Sequence, residues 1–359
     1  MTEKETNLIE QVNEQIERQR QNTRSSLFNI SSAMQKLQAR FEHYGFKKVM
    51  VSISGGYDSD VMLDMLLRCC PKEIFTFVFF DTGIEYEATK RHLDYLEKKY
   101  DIIIDRQRAA VPVPLGVKKY GLPFLSKYAS EMIHRLQRNK FDFAGDGNKD
   151  FDELLSKYPK CKVALKWWCN QHPKNSSFNI ARFYALKEFM IANPPDFAIS
   201  AQCCEGAKKQ PSHKYEKANK FDCKCLGLRK SEGGIRTTVY KNCFTYDSSS
   251  SIQNYRPIWW FTDADKQTYV DYYLLVLSDC YIVYGMTRTG CAGCPFNSKF
   301  ENDLEILKQH EPKLYKAVIA IFGKAYEYTR KYREFKARMR RGNVGQLSMF
   351  DDPAPPEEA

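Results

Sequence analysis

The sequence predicts an α/β fold with a Rossmann-like, doubly wound parallel sheet, and two observations support this prediction. Strand-like and helix-like segments alternate between residues 49 and 105, as they do in strand–helix–strand units. The first two strand-like runs end in glycine-containing turns, at the sheet edge where α/β proteins bind ligands. A chain of 359 residues has room for such a core together with insertions or a second domain.

The first expected strand, at 49–53, is apolar and β-branched, and a helix is expected directly after the turn that follows it. Two adjacent glycines in this turn allow positive φ and a close approach of the backbone to a ligand. The amides of the helix's first turn, together with its dipole, favour an anion. The alternative is an ordinary turn with a capped helix. The turn reads Ser54-Gly55-Gly56-Tyr57-Asp58-Ser59.

The second expected strand, at 74–80, is almost continuously apolar, as is typical of strands buried on both faces of a parallel sheet. It ends at Asp81-Thr82-Gly83. A helix at 86–100 and a third strand at 102–105 complete the alternating pattern. Another core strand is expected at 197–200.

Composition divides the chain into five parts. These are a helical N-terminal arm (1–43), an α/β core with an insertion (44–200), a cysteine-rich region that completes the core (201–300), a basic helical region (301–341) and a flexible tail (342–359). The arm is interpreted either as an appendage packed on the core or as a surface for dimerisation or a partner protein.

The net charge of +11 favours nucleic acid as a partner, because Lys and Arg neutralise phosphates. A solvated basic surface without a partner is the alternative. A tyrosine-rich, basic helix at 326–333 is a candidate nucleic-acid surface. The polar N-terminus and the absence of a long apolar run exclude a secretory signal and a membrane span, so a cytoplasmic protein without a membrane partner is expected.

Twelve cysteines in a cytosolic chain are expected to serve as metal ligands or reactive thiols rather than disulfides. The pair Cys291-x-x-Cys294 is a redox pair or half of a metal site, and the nearby thiols favour a four-thiolate iron–sulfur cluster or zinc site. Those nearby thiols are Cys203, Cys204, Cys223, Cys225, Cys243 and Cys280.

Five motifs in order resemble the phosphoadenosine-phosphosulfate reductase family of the pyrophosphate-loop ATP pyrophosphatase superfamily. They are Ser54 to Ser59, Asp81-Thr82-Gly83, Cys203-Cys204-x-x-x-Lys208-Lys209-x-Pro211, Gly227-x-Arg229-x-x-Glu232-x-x-x-Arg236 and Gly290-Cys291-x-x-Cys294-Pro295. The resemblance covers about residues 45 to 300 and is nearest to members from phages, mobile elements and DNA phosphorothioation systems. It implies a nucleotide-binding core like that of adenine nucleotide alpha-hydrolases.

The resemblance also implies a reaction and a set of residues. ATP is cleaved between its α and β phosphates, the loop holds the pyrophosphate, and Mg²⁺ offsets the charge of this leaving group. The implied catalytic residues are Ser54, Asp58, Ser59 and Arg229. The implied nucleotide ligands, for ATP or a phosphosulfate nucleotide (PAPS or APS), are Ser54, Gly55, Gly56, Asp58, Ser59, Asp81, Thr82, Gly83, Arg229 and Arg236. The implied ligands of a 4Fe–4S cluster, or alternatively of Zn²⁺, are Cys204, Cys243, Cys291 and Cys294, with Cys203 and Cys280 as alternates.

Three functions are compatible with the resemblance, and one departure from the family pattern weighs against the reductase. Sulfonucleotide reductases carry a nucleophilic cysteine near the C-terminus, whereas the last cysteine here is Cys294. We therefore expect an ATP pyrophosphatase that acts in sulfur transfer or nucleic-acid modification, with a role in antiviral defence. The alternatives are a sulfonucleotide reductase and a non-catalytic, nucleotide-sensing subunit of a defence complex.

The tail suggests a partner of its own. Residues Gln346-Leu347-Ser348-Met349-Phe350 resemble the motif that binds the bacterial sliding clamp, with apolar anchors spaced after a glutamine. The alternative is a tail whose apolar residues pack on this protein's own surface.

Overall fold

The computed structural model describes the backbone of residues 3–233, 239–247 and 252–344. The chain forms two compact units. Unit 1 comprises the residues up to Ala110 together with Lys208–Ala292, and unit 2 comprises Val111–Ala207 together with the residues from Gly293 onward. The α/β sheet and the anion-binding loop both belong to unit 1.

The sheet of unit 1 confirms the predicted fold class. Its strands lie in the order β3-β2-β1-β4-β6-β5, and every neighbouring pair is parallel except β5 with β6. In the register, Val51 lies opposite Phe77 on one side and Cys225 on the other. The strands are β1 (Val49–Ile53), β2 (Phe75–Asp81), β3 (Ile104–Arg108), β4 (Cys223–Leu226), β5 (Phe244–Asp247) and β6 (Ile252–Tyr255).

The helices of the described residues are distributed over both units. They are α1 (Glu3–Tyr44), α2 (Tyr57–Cys69), α3 (Glu87–Tyr100), α4 (Val113–Tyr120), α5 (Lys127–Arg138), α6 (Phe143–Asp146), α7 (Phe151–Lys157), α8 (Lys162–Trp168), α9 (Leu186–Ala192), α10 (Gln202–Cys204), α11 (Gln210–Asn219), α12 (Asp263–Tyr273), α13 (Asp279–Ile282), α14 (Phe300–His310) and α15 (Pro312–Val344). A π-helical stretch, Glu205–Lys209, precedes α11.

Helices cover both faces of the sheet because its central strands are apolar on both faces. On one face Val49, Val51 and Ile53 are buried in the main hydrophobic core of unit 1, which includes residues of α1, α2 and α12. On the other face Met50 and Val78 pack with Phe221, which follows α11. The alternation of side chains along β1 therefore supplies both cores.

The predicted N-terminal arm is helical and forms one continuous helix, α1. The C-terminal part of α1 contributes Ile30, Leu37 and Phe41 to the core of unit 1, and Leu37 is fully buried. This part of α1 is therefore part of the folded unit. Whether α1 also binds a partner stays a prediction.

Unit 2 is a helical body around a large aromatic core. Trp167 and Trp168 are both fully buried in it. The predicted strand at 197–200 is wrong, because Ile199 forms only an isolated bridge with Leu122 and packs into this helical core. The tyrosines of α15 are largely core residues as well: Tyr328 and Tyr332 are buried in the same cluster, so they are not available to stack on bases.

No helix among the residues that the structure describes combines the length and the apolar character needed to cross a membrane.

The contribution of α1 to unit 1 can be tested by truncating one buried and one exposed side chain. Leu37→Ala removes a fully buried side chain and should lower the free energy of unfolding by about 2–5 kcal/mol, because it leaves a cavity. Phe28→Ala is the matched control, since Phe28 is 73% exposed and its loss should change stability by less than about 0.5 kcal/mol. Equal effects of the two substitutions in urea titrations would contradict this placement of α1.

Candidate active site

A cavity of about 980 Å³ opens in unit 1 where several parallel strands end. Its lining includes residues at the carboxyl ends of β1, β2, β4 and β6. Loop residues Ser54, Gly56, Asp58 and Ser59 lie in this lining, and so does Arg229. The structure thus brings together the loop and the arginine that the sequence analysis singled out.

Both glycines of the loop are required by its geometry. Gly55 has φ +63°, and a Cβ there would lie 2.9 Å from the Cγ2 of Thr89. A Cβ at Gly56 would lie 2.9 Å from the Oγ1 of Thr289. Helix α2 begins directly afterwards at Tyr57, without a side-chain cap from Gly56. The chain therefore turns from strand to helix in a space that admits no side chain at either position.

The loop positions backbone donors at the helix N-terminus. The amide of Ser54 donates to the Oγ of Ser59 at 3.0 Å, which closes the turn. The amide of Tyr57 donates to the hydroxyl of Tyr281 at 3.1 Å. The first-turn amides of Asp58 and Ser59 have no intrahelical acceptor and, with the helix dipole, favour a bound anion.

Asp58 is held in place by two cations. Its Oδ1 lies 2.8 Å from the Nε of Arg229 and 3.4 Å from the Nζ of Lys266. Arg229 is 5% exposed and also pairs with Asp263 at 2.8 Å. Burial disfavours the charged guanidinium, but the two carboxylates outweigh it and raise the pKa of Arg229. In this arrangement Arg229 positions the loop through Asp58, whereas the resemblance assigned it to the ligand.

A glycine after β4 lets the strand end approach this loop. A Cβ at Gly227 would lie 2.9 Å from the backbone oxygen of Asp58 and 3.0 Å from the amide nitrogen of Ser59. These are backbone atoms, so a side chain there would displace the start of α2. Gly227 of the glycine–arginine motif thus has a steric role beside the electrostatic role of Arg229.

Several residues around the loop were missed by the sequence analysis. Lys266 lies 4.1 Å above the ring of Tyr57, and the hydroxyl of Tyr281 lies 3.0 Å from that of Thr289. Burial, followed by the nearby Asp271 and Asp58 carboxylates, raises the pKa of Tyr57 to about 12. Lys266, Tyr281 and Thr289 lie more than 200 positions from the loop, and no sequence motif signals their contact with it.

The Asp81-Thr82-Gly83 turn contributes to the site through a neighbour. The amide of Gly83 donates to the Oδ1 of Asp81 at 2.8 Å, and the hydroxyl of buried Thr82 donates to Glu85 at 2.6 Å. Glu85, which the sequence analysis overlooked, lines the cavity, whereas these three residues do not. Burial raises the pKa of Glu85, although Lys208 and the bonds from Thr82 oppose the shift.

The predicted cluster ligands are divided between the units. Cys243, Cys280 and Cys291 belong to unit 1, and Cys203, Cys204 and Cys294 belong to unit 2. Among the residues that the structure describes, no three His, Cys, Asp or Glu side chains are grouped so that they could hold a metal ion. No chemical step is therefore assigned to a metal centre, and the ligand set stays a prediction.

Within unit 1, the surroundings of Cys243 and Cys291 differ. The Sγ of Cys291 lies 3.5 Å from the Oγ1 of Thr82, just after β2. Cys243 immediately precedes β5, and four strand positions, or about 19 Å, separate β5 from β2 in the sheet. Two thiolates on one zinc ion lie at most about 4.6 Å apart. The expected pairing of Cys243 with Cys291 is therefore not supported by their positions in the sheet.

Two of the predicted sites fall on residues outside the described ranges. Arg236 lies in 234–238, and the clamp-like motif Gln346–Phe350 lies in 345–359. Their expected roles stay predictions.

Comparison with known proteins identifies a family domain in unit 1 and the start of unit 2. Residues 48–139 match the phosphoadenosine phosphosulfate reductase domain. An uncharacterised protein of Methanocaldococcus jannaschii is 43% identical over 77 residues, which are 21% of this chain. The matched segment spans only 16% of the length of that relative.

Solved structures with a similar chain course include three enzymes. A phosphoadenylyl-sulfate reductase from Candida auris is 13% identical, with a TM-score of 0.39 over 73% of this chain and 93% of that chain. The U34-tRNA thiolase NcsA from Methanococcus maripaludis, solved with its [4Fe-4S] cluster, is 12% identical. Its TM-score is 0.34, and the match covers 88% of this chain and 80% of that chain. An NH3-dependent NAD synthetase from Campylobacter jejuni is 12% identical, with a TM-score of 0.34, and the match covers 84% of this chain and 96% of that chain.

The raised pKa of Glu85 predicts a pH-dependent contribution to stability. For a carboxyl whose pKa is raised by folding, the contribution is fully present below the unfolded-state value, 4.5, and is lost as the pH rises through the folded-state value. Glu85→Gln removes this titration, and its amide oxygen can still accept the bond from Thr82. The melting temperature of the variant, relative to wild type, should therefore rise between about pH 4 and about pH 8.

Glu87→Gln is the control for this measurement, because Glu87 is exposed and its replacement should follow wild type at every pH. A constant difference between Glu85→Gln and wild type across the pH range would show that folding does not shift this carboxyl.

Proposed function

We propose that unit 1 binds ATP and cleaves it between the α and β phosphates, because residues 48–139 match the phosphoadenosine phosphosulfate reductase domain. The observation that carries the proposal is the loop at 54–59, which presents helix-terminal amides to the cavity while Arg229 and Lys266 hold Asp58. Such a terminus suits the pyrophosphate group.

The residues of the site have separate tasks in this reaction. The amides of Asp58 and Ser59, with the hydroxyls of Ser54 and Ser59, bind the β and γ phosphates. An acceptor oxygen or nitrogen attacks the α phosphorus, the bond from that phosphorus to the bridging oxygen breaks, and pyrophosphate leaves. Donors fixed in advance stabilise the charge that develops on the leaving group. Mg²⁺, when bound, supplies further charge neutralisation.

The proton of the acceptor requires a base in the same cavity. Glu85 lines the cavity and its pKa is raised by burial, which brings a carboxyl closer to the pH at which it can exchange protons. Lys208 and Lys209, in the same lining, add positive charge near the bound phosphates. In this proposal Glu85 accepts the proton and Arg229 acts as a positioning residue.

We assign the adenylation to sulfur transfer or nucleic-acid modification, with a role in antiviral defence. The net charge of +11 supports a nucleic-acid partner. The resemblance to members from phages and DNA phosphorothioation systems supports the defence role. The reductase domain match favours a second candidate, a sulfonucleotide reductase.

The central test is pyrophosphate release from ATP by two loop variants. Asp58→Asn removes the partner of Arg229 and Lys266 and should lower turnover by about 100-fold, since a loop displaced by about 1 Å loses its alignment. Ser59→Ala removes one hydroxyl and should lower turnover by about tenfold. Asp94→Asn, which changes an exposed carboxylate, is the control and should match wild type.

Each other outcome of this test has a distinct meaning. Unchanged turnover in both loop variants would refute the role of the loop. ATP binding without pyrophosphate release by wild type would favour the nucleotide-sensing subunit. Consumption of a phosphosulfate nucleotide, with no use of ATP, would favour the reductase.

A 4Fe–4S cluster, or Zn²⁺ in its place, is a separate proposal that rests on the family resemblance and on the cysteine pairs. Anaerobically purified protein should contain iron and acid-labile sulfide, and Cys291→Ser and Cys294→Ser should lose both. Cys161→Ser is the control, because Cys161 is buried in the aromatic core of unit 2. Zinc without sulfide would select the alternative metal, and metal content that is unaffected by either variant would refute the ligand assignment.

A further inference from the structure

One arginine in the cavity of unit 1 is buried without a counter-charge. Arg256, directly after β6, lines the cavity and is 1% exposed. Its Nη1 donates to the carbonyl of Asn242 and its Nη2 to the hydroxyl of Thr245, both at 3.2 Å. Its Nε is buried and has no hydrogen-bond partner. The guanidinium stacks on the ring of Tyr240, 3.8 Å from its centroid.

The other buried or partly buried cations of the cavity differ from Arg256 because each pairs with a carboxylate. Arg229 pairs with Asp58 and Asp263, and Lys224 pairs with Glu216 at 2.5 Å. Among the side chains that the structure describes, none provides Arg256 with an acidic partner. Burying a guanidinium without a counter-charge is costly, and here burial lowers its pKa. A guanidinium that is buried in this way is suited to bind the anionic group of a ligand.

The position of Arg256 separates this anion from the pyrophosphate of ATP. The loop follows β1, and β4 lies between β1 and β6 in the sheet. Two strand spacings, about 10 Å, therefore separate the two anion-binding points within one cavity. A ligand at Arg256 would thus lie in the same cavity as the loop, about two strand spacings away from it.

The groups around Arg256 indicate what kind of ligand carries the anion. Tyr246 of β5 also lines the cavity and is 64% exposed, so its ring face is available for stacking. Asn254 lines the cavity on the neighbouring strand, where it pairs in register with Thr245, and its amide can both donate and accept. Since β5 is the edge strand, a chain-like ligand can continue past it.

We propose that Arg256 binds a phosphodiester of a single-stranded nucleic acid and that Tyr246 stacks on an adjacent base. The site then holds the acceptor strand next to the ATP bound at the loop. This inference rests on the proposed function, because the strand acts as an acceptor only if ATP is cleaved at the loop. The binding of the strand can nevertheless be measured without ATP. The net charge of +11 favours a polyanion over a small anion as the occupant.

The test uses the full chain with Arg256→Met and Arg256→Lys. Affinity for a fluorescent single-stranded oligonucleotide should fall by about tenfold or more in Arg256→Met and by less in Arg256→Lys, which keeps the charge but loses the fork. Tyr246→Ala should weaken binding by about fivefold or more. Affinity for ATP should stay within about twofold of wild type in all three. Arg106→Gln, an exposed arginine, is the control for loss of charge alone.

Thermal melting separates a binding role from a structural one. If Arg256 is an uncompensated buried charge that is kept for a ligand, then Arg256→Met should melt at the same temperature as wild type or higher, while it binds the strand poorly. A lower melting temperature with unchanged strand affinity would assign Arg256 to structure and overturn the proposal.

Inorganic phosphate and a nucleoside monophosphate are the competing probes. If the Arg256 variants lose affinity for a nucleoside monophosphate but bind the oligonucleotide as wild type does, the site serves a small nucleotide and the nucleic-acid assignment is wrong. Failure of wild type to release pyrophosphate would affect only the proposed function, because strand binding is measured separately.

Discussion

The candidate active site of unit 1 depends on the ion pair between Asp58 and Arg229. Arg229 is almost completely buried, so loss of Asp58 would leave a guanidinium whose remaining carboxylate, Asp263, is on an exposed side chain. Breaking a buried pair by removing one partner is strongly destabilising, typically by about 3–5 kcal/mol. The pair joins the turn after β1, the segment after β4 and the start of α12, which are far apart in the sequence.

The parallel sheet brings these distant segments together. Parallel strands with buried apolar faces bring the carboxyl ends of β1, β2, β4 and β6 to one edge, so the turns that follow them converge. Small residues are needed at the closest approaches, and Gly56 and Gly227 both lie where a Cβ would contact a neighbouring element. The hydrophobic core thus fixes the backbone, and the backbone in turn determines the positions of the polar side chains at the sheet edge.

The features that the sequence predicted well are local ones. The strands β1 and β2 and the loop at 54–59 follow from apolar runs and adjacent glycines, which act over a few residues. Glu85, Lys266 and Arg256 could not be found in this way, because their importance arises from which side chains lie beside them after folding. The failed strand at 197–200 has the same origin: an apolar run is compatible with burial in a helical core, and only the surroundings of Ile199 distinguish the two.

The cysteines show a further limit of sequence patterns. A Cys-x-x-Cys pair signals a thiol site, but the choice of additional ligands depends on the positions of distant strands. Cys243 is among the expected ligands, whereas the strand order places it across the sheet from Thr82, the neighbour of Cys291. The groups to which we assign cleavage between the α and β phosphates, in contrast, all lie in one unit.

The most direct measurement of that claim is the identity of the products that the full chain forms from ATP, determined by phosphorus NMR in the presence of a single-stranded oligonucleotide. The account predicts pyrophosphate together with AMP or an adenylated strand. The formation of ADP and inorganic phosphate, or ATP that remains intact, would contradict it.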